Sequence, residues 1–279
     1  MDVDKNSYTF GFAAIMVIVV AVILSGTSII LKDAQDSNVE LEKKQNILRS
    51  VGVNVNRDQA AIEYPVYIKE ELVLNHLGEI INNLSAFDVD LSKEVKKSIV
   101  EDDENIPLEE RTSLLPLYIS EVEGEKKYII PLRGKGLWGP IWGFISFNDD
   151  LNTVFAAVFD HKAETPGLGA EINTSLFQDV FQGKTIFEKG EFVSIFVQKG
   201  GSKGDIHKVD GISGGTITSD GVTDMLNERL KRYLPYFRLM EDNREKNQKK
   251  EEVRLQHESV NTDEKERESK SNIGKREID

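Results

Sequence analysis

The longest unbroken apolar stretch lies at the N-terminus. Residues 8–31 contain no charge, and residues 12–24 at their centre are apolar throughout. About 20 apolar residues in a helix cross the hydrocarbon core of a bilayer, whereas a buried core helix normally shows a polar face. The pattern predicts a transmembrane helix over 8–31, preceded by a short polar segment, 1–7, and flanked by Lys5 and Lys32. A cleaved signal peptide is the rival, with Ser25-Gly26-Thr27-Ser28 as its small-residue site. Against it, the first residues carry no positive cluster and apolar character resumes at Ile29-Ile30.

Beyond Lys32 the pattern is helical but more polar. Residues 36–48 read as a charged helix with Ser37 as N-cap, ended by Gly52. Leu72, Leu74, Leu77, Ile80, Ile81 and Leu84 recur at spacings near three and four and predict a helix over 67–84. Residues 88–107 are acidic and loop-rich, with a helix over 92–100. The stretch 32–110 is thus expected to be a helical juxtamembrane region.

The period then changes. Strands are expected at 115–122, 128–132, 141–147 and 154–159, joined by turns at Gly124 and at Asn148-Asp149-Asp150. Successive hairpins imply an antiparallel sheet. A Gly-rich loop over 133–140 carries Trp138. A tight loop follows at 161–170, then a helix over 170–181 with Leu176, Phe177, Val180 and Phe181 inward, a fifth strand over 192–197, and a helix over 221–237. The expected fold is α+β: one N-terminal transmembrane helix, then a domain over 111–239 with an antiparallel sheet flanked by helices. Residues 240–279 have almost no large apolar side chains and read as a disordered tail or a fraying, solvated helix.

Composition narrows the chemistry. A net charge of -13 argues against nucleic acid, since phosphate contacts need Lys and Arg. The absence of cysteine excludes disulfides, thiolate metal sites and Cys nucleophiles. None of the four histidines pairs with another at metal-ligand spacing, so no metal site is expected. No Gly-Lys-Ser/Thr follows the glycines, which removes a P-loop, and no Gly-x-Gly-x-x-Gly opens a βαβ unit. Gly211-Ile212-Ser213-Gly214-Gly215 matches a nucleophile elbow literally, but the polar residues 200–208 before it do not make the required strand.

What stands out is Val209-Asp210-Gly211-Ile212-Ser213-Gly214-Gly215-Thr216-Ile217-Thr218-Ser219, just before a helix expected to begin near Asp220. Glycines let a ligand approach the backbone, and a helix N-terminus favours an anion. The plain alternative is a Gly-Ser turn that ends a strand and caps a helix. Trp138, Gly167 and Leu168 are candidates to face an aromatic ligand; the alternative for Trp138 is the core.

Asp210 to Thr216 resembles the flavinylation motif Asp-x-x-Ser/Thr-Gly-Ala-Thr of covalent FMN-binding domains, and Glu164-Thr165-Pro166-Gly167-Leu168-Gly169 matches a second hallmark of that family. The Leu41 to Leu48 run after a single apolar helix, and Lys199-Gly200-Gly201, resemble the C subunits of sodium-translocating NADH:quinone reductases. The resemblance covers residues 8–237. It implies FMN joined to Thr216 by a phosphoester, attached from FAD outside the cytoplasm by a flavin transferase. Thr165, Gly167, Leu168, Gly169, Asp210, Ser213, Gly214 and Gly215 would shape the site, Lys199 would neutralise charge, and Trp138 would be a further aromatic. Thr218 is the rival hydroxyl, and Glu164 reads as structural rather than as a proton donor. Gly215 departs from the family's Ala. The implied function is electron transfer within a six-subunit membrane complex that oxidises NADH, reduces quinone and exports sodium, with no catalytic group beyond the flavin and no complete active site in this chain alone. The implied place is the bacterial inner membrane, single-pass, N-terminus cytoplasmic and main domain periplasmic; charge alone does not fix this, since Asp2 and Asp4 offset Lys5 while Lys43, Lys44 and Arg49 lie on the other side. The alternatives are the G subunit of the ferredoxin:NAD electron-transport complex, which shares both motifs, and a membrane-anchored binding or assembly module without cofactor.

Overall fold

The computed structural model describes residues 6–251 and 254. Its first element, α1 (Asn6–Arg49), merges the expected apolar helix and the charged helix after it into one rod. No proline interrupts residues 8–49 and only Gly11 and Gly26 occur there, so nothing local stops propagation. At about 1.5 Å per residue the 44 residues make a helix far longer than a bilayer is thick. Its apolar N-terminal side chains are uncovered, and it is the one described helix long and apolar enough to cross a membrane. Its other end is part of the globule: Ile47 and Leu48 are fully buried.

Next come α2 (Arg57–Tyr67) and β1 (Ile68–Leu74), and here the sequence expectation fails. Residues 67–84 are not a helix. Asn75 accepts from the N–H groups of Leu77 and Glu79, and Gly78 takes a positive φ of 81° with no room for a side chain against Tyr236. That turn folds Ile80 back onto Leu74. Pairing of β1 with a neighbouring strand, β2 (Leu115–Val122), overrides the leucine spacing, as sheet context commonly overrides local pattern. The acidic stretch does hold a helix, α3 (Leu91–Asp103), N-capped by Asp90.

Strands β2 (Leu115–Val122), β3 (Glu125–Lys135), β4 (Pro140–Phe147) and β5 (Val154–His161) follow. With β1 they form one antiparallel meander in the order β1-β2-β3-β4-β5. The α+β class with an antiparallel sheet between helices is as expected, although Arg133 to Lys135 lie in β3 rather than in a loop. Alternation along the strands splits the core across the two faces. Tyr118, Ile129 and Phe144 pack with Ile47, Leu48, Val51 and Tyr64. Tyr128, Ile130, Leu132, Ile145 and Phe147 pack on the other face with Val222, Met225, Leu226 and Leu230.

The helix expected over 170–181 is broken. A 3-10 turn (Gly169–Asn173) leads into a single turn, α4 (Ser175–Gln178), and a second 3-10 turn (Asp179–Phe181). Thr174 is extended at φ -88°, ψ 149°, which interrupts the hydrogen-bond ladder. Phe177 and Phe181 are buried, while Leu176 and Val180 are exposed. The strand expected over 192–197 is also split, because Ser194 has φ 65°. The pair β6 (Phe187–Glu188) and β7 (Glu191–Phe192) is antiparallel, and β8 (Phe196–Gln198) runs parallel to β9 (Lys208–Asp210). Then α5 (Thr216–Lys231) crosses β3. Its close approach needs Gly221, whose added Cβ would sit 2.3 Å from the Lys135 carbonyl oxygen. Residues 234–251 are again helical; within them 240–251 are almost wholly exposed, and the rest of the 240–279 tail, Arg254 apart, lies outside the described residues.

Candidate functional site

α5 begins at Thr216, inside the Gly-rich motif rather than after it. The chain leaves β9 at Asp210, and Gly211 N–H bonds to the Gln198 carbonyl at 2.7 Å. It then reverses through Gly214, at φ 76°, and Gly215 N–H bonds to the Ile212 carbonyl at 2.9 Å. Gly215 occupies the cap position without a side chain to offer. The first intrahelical bond is Ser219 N–H to Gly215 O. Among the described residues nothing accepts from the N–H groups of Thr216, Ile217 and Thr218. Such open donors, aligned with the helix dipole, are an anion site.

The second loop lies against this helix start. Leu168 and Ala170 N–H groups both bond to the Thr165 carbonyl at 3.1 Å, and Gly167, at φ 75°, gives its N–H to Glu171 at 3.0 Å. Glu164 is buried, 4% exposed. Its Oε1 accepts from Trp138 N–H at 2.9 Å and its Oε2 accepts from the Thr218 hydroxyl at 2.7 Å. The carboxylate therefore joins the β3–β4 turn, the 165–169 loop and α5. Ser219 is buried as well, and its Oγ accepts from Ile212 N–H at 3.1 Å.

Between loop and helix runs a cleft of about 200 Å³. Thr165, Leu168, Gly169, Gly214, Gly215, Thr216 and Thr218 line it, so the two motifs meet although some 50 residues separate them. Thr216 is exposed there, whereas Thr218 is 1% exposed and turned inward. The other candidates do not line the cleft. Gly167 is at the outer corner of its loop; Ser213 is exposed on the turn; Asp210, exposed, accepts from Ser202 N–H at 3.2 Å; Lys199 is exposed beyond β8. Trp138 is not core: its side chain is 66% exposed. The sequence reading missed Leu137 and Ile217, two exposed apolar side chains on the cleft wall. Their signal was present, since each adjoins a named residue, Trp138 or Thr216.

The sequence pattern of the FMN-binding domain matches residues 136–231, which span the β3–β4 turn, both loops and α5. The C subunit of the Na(+)-translocating NADH-quinone reductase from Vibrio alginolyticus is 32% identical over 78% of this chain and 88% of its own length. Its counterpart from Haemophilus ducreyi is 30% identical over 78% and 87%. Among solved structures, the C subunit of the Parabacteroides distasonis reductase shares 41% identity with a TM-score of 0.66, covering 74% of this chain and 96% of that one. NqrC from Shewanella oneidensis, at 23% identity and a TM-score of 0.60, covers 73% of this chain and 98% of its own and shares the fold. A long apolar helix rooted in an α+β domain, a cleft built from two Gly-rich loops and these likenesses together place the chain in one family: it belongs to the C subunits of Na(+)-translocating NADH-quinone reductases, as a membrane-anchored member.

Proposed function

We propose that this chain carries FMN on Thr216 through a phosphoester and passes electrons within a Na(+)-translocating NADH-quinone reductase. The observation that carries the reading is the state of the motif's hydroxyls. Thr216 is exposed on the cleft at an uncapped helix start, while Thr218 and Ser219 are buried and hydrogen-bonded. The residues fit the group. Three open N–H groups suit a phosphate that keeps its negative charge, glycines on both loops leave the backbone accessible, and Leu137, Leu168 and Ile217 offer an apolar wall to an aromatic ring. Bound FMN supplies the redox chemistry. The chain's residues hold the phosphate, orient the ring and shield one side of it. Asp210 and Ser213 shape the turn from outside the cleft, and Lys199, Trp138 and Gly167 also lie outside its lining.

The reading extends to assembly. The domain lies on the periplasmic side of the inner membrane with the N-terminus cytoplasmic; a flavin transferase loads it there from FAD, the Thr216 hydroxyl oxygen taking the FMN phosphoryl group as the pyrophosphate bond breaks and AMP and a proton leave; and it works beside five further subunits. Membership among the C subunits favours this complex over the ferredoxin:NAD complex, and the FMN-binding pattern favours it over a cofactor-free module.

The test is the intact mass of the full chain made with its flavin transferase. An adduct of FMN size on the wild type and none on Thr216→Ala is the expected result; an unmodified wild type, or an adduct that survives Thr216→Ala, overturns the attachment. Orientation is read separately. The chain has no cysteine, so a single one introduced as Lys203→Cys reports sidedness. An impermeant thiol reagent is expected to label it in intact spheroplasts, and labelling only after lysis reverses the assignment.

A further inference from the structure

Thr216 and Thr218 are two residues apart on α5, so at about 100° per residue they lie on nearly opposite sides of the helix. Both border the cleft, Thr216 exposed and Thr218 buried in its wall, and which hydroxyl is free in it depends on how the first turn is rotated about its axis. Helix starts fray unless their ends are held, and α5 has no side chain acting as its cap. Two side-chain bonds hold the turn instead: Thr218 to Glu164 and Ile212 to Ser219.

Glu164 is unusual in itself. It is a nearly fully buried carboxylate with no ion pair among the described residues. Burying such a group is costly unless donors compensate, and its compensation is the Trp138 N–H and the Thr218 hydroxyl. The surrounding sequence makes space for it. An added Cβ at Gly136 would lie 2.6 Å from Oε1, and one at Gly169 would lie 2.6 Å from Oε2. A residue serving only to fill the core would not be built this way, since an apolar side chain of similar volume would do so without desolvating a charge.

We propose that Glu164 is the positioning residue for flavin attachment: by holding Thr218 inward it sets the rotation of the first turn of α5 and presents the Thr216 hydroxyl to the cleft. The inference rests on the reading of Thr216 as the attachment residue. It predicts that the donor geometry at the carboxylate, rather than its charge, governs attachment. In Glu164→Gln the amide oxygen accepts from Trp138 N–H while the amide nitrogen donates to the Thr218 hydroxyl, so the clamp survives. In Thr218→Val the shape is kept and the clamp is lost.

The experiment measures the initial rate of FMN transfer onto the full-length chain by its flavin transferase at varied FAD, with the modified residue mapped by peptide mass. Glu164→Gln is expected to modify Thr216 at close to the wild-type rate. Thr218→Val and Glu164→Ala are expected to lose roughly ten- to a hundredfold in kcat, the scale of a misplaced reacting group, with KM for FAD unchanged. Thr218→Val at the full rate overturns the inference, as does Glu164→Gln failing as badly as Glu164→Ala. If Glu164→Ala does not fold, Thr218→Val and Glu164→Gln still decide it. A wild type that stays unmodified, or an adduct that persists in Thr216→Ala, instead removes the attachment reading on which this one stands.

Discussion

Residue by residue, the glycines of the two loops divide into those with room beside them and those without. Gly215, where the family motif has Ala, has an ordinary φ of -108°. A Cβ there would meet Ile212 Cγ2 at 3.1 Å and Gly169 N at 3.3 Å, so Ile212 has to yield by a few tenths of an ångström. Loss of unfolded-state freedom offsets that crowding. Gly215→Ala is expected to change stability by less than about 1 kcal/mol and to keep full flavin occupancy, as a denaturant melt and an intact mass will show. Gly169→Ala places its Cβ 2.4 Å from Thr218 Oγ1 and 2.6 Å from Glu164 Oε2, so it has to break the clamp. About 1–3 kcal/mol of stability should be lost, together with most of the flavin; a stable, fully loaded Gly169→Ala would contradict the packing described for it. The motif glycines and hydroxyls were legible in the sequence because they are rare and adjacent. The partnership of Glu164 with Thr218 was not, because it joins residues 54 positions apart, and one sequence carries no trace of which hydroxyl a buried carboxylate will meet.

Among the elements, those with a local cause were legible and those made by tertiary contact were not. Strand β2 was read with its observed ends, since Gly124 bounds it and its apolar run is short. The 67–84 stretch was misread because leucines at positions 72, 74 and 77 suit a helix as well as a strand, and only pairing with β2 decides between them. That pairing also brings His76, just beyond β1, into a polar cluster with α3 and α5. His76 Nε2 lies 2.6 Å from Ser113 Oγ and 3.7 Å from Glu101, and Asp102 bridges Arg111 and Arg232. Burial, then the charges of Arg232, Arg111 and Arg229, lower the His76 pKa to about 4, with Glu101 opposing them. The unfolded chain holds its imidazole near the ordinary 6.5, so between these values the unfolded state binds the extra proton. This contribution to stability is whole above pH 6.5 and is lost as the pH falls through and below 4, by about 3 kcal/mol at most. Burial opposes a low Glu101 pKa, but hydrogen bonds from Ser113 and Thr112 outweigh it and keep that carboxylate below its usual range, so a further loss follows in stronger acid. Chemical melts across pH 4 to 7 should show the first slope in the wild type and a flatter one in His76→Gln; equal slopes would assign the acid sensitivity to other groups.

For the molecule as a whole, the question is where the anchor stops and the domain starts. Composition places the change near Lys32, where charge first appears after the apolar run. The fold places it differently, because α1 continues without a break and ends inside the globule. Ile47 and Leu48 are fully buried against the sheet face that holds Tyr118, Ile129 and Phe144. The junction is also tied by polar contacts: Gln45 Nε2 gives a hydrogen bond to the Val55 carbonyl at 2.7 Å, Glu42 pairs with Arg57 at 3.0 Å, and Ser146 Oγ bonds to the Ser50 carbonyl. Lys43 sits over the Phe87 ring at 4.3 Å and donates to the Phe87 carbonyl. The last turns of the anchoring helix therefore serve two functions, as connector and as core. Removing residues 1–32 takes away the uncovered apolar run of α1 and none of the buried side chains near its end, and the remaining chain should be soluble and melt as the detergent-solubilised full chain does. Removing residues 1–50 deletes two fully buried apolar side chains, Ile47 and Leu48, each of which costs about 2–5 kcal/mol even when only trimmed to Ala, and exposes the face of the sheet they cover. That sum approaches the roughly 5–15 kcal/mol stability of a whole domain, so the shorter fragment should lose its cooperative transition or aggregate. Comparing the two fragments by thermal melt separates the possibilities: if both melt alike, α1 is a tether attached to a complete domain, and if only the longer one melts cooperatively, the domain begins within the helix that anchors it.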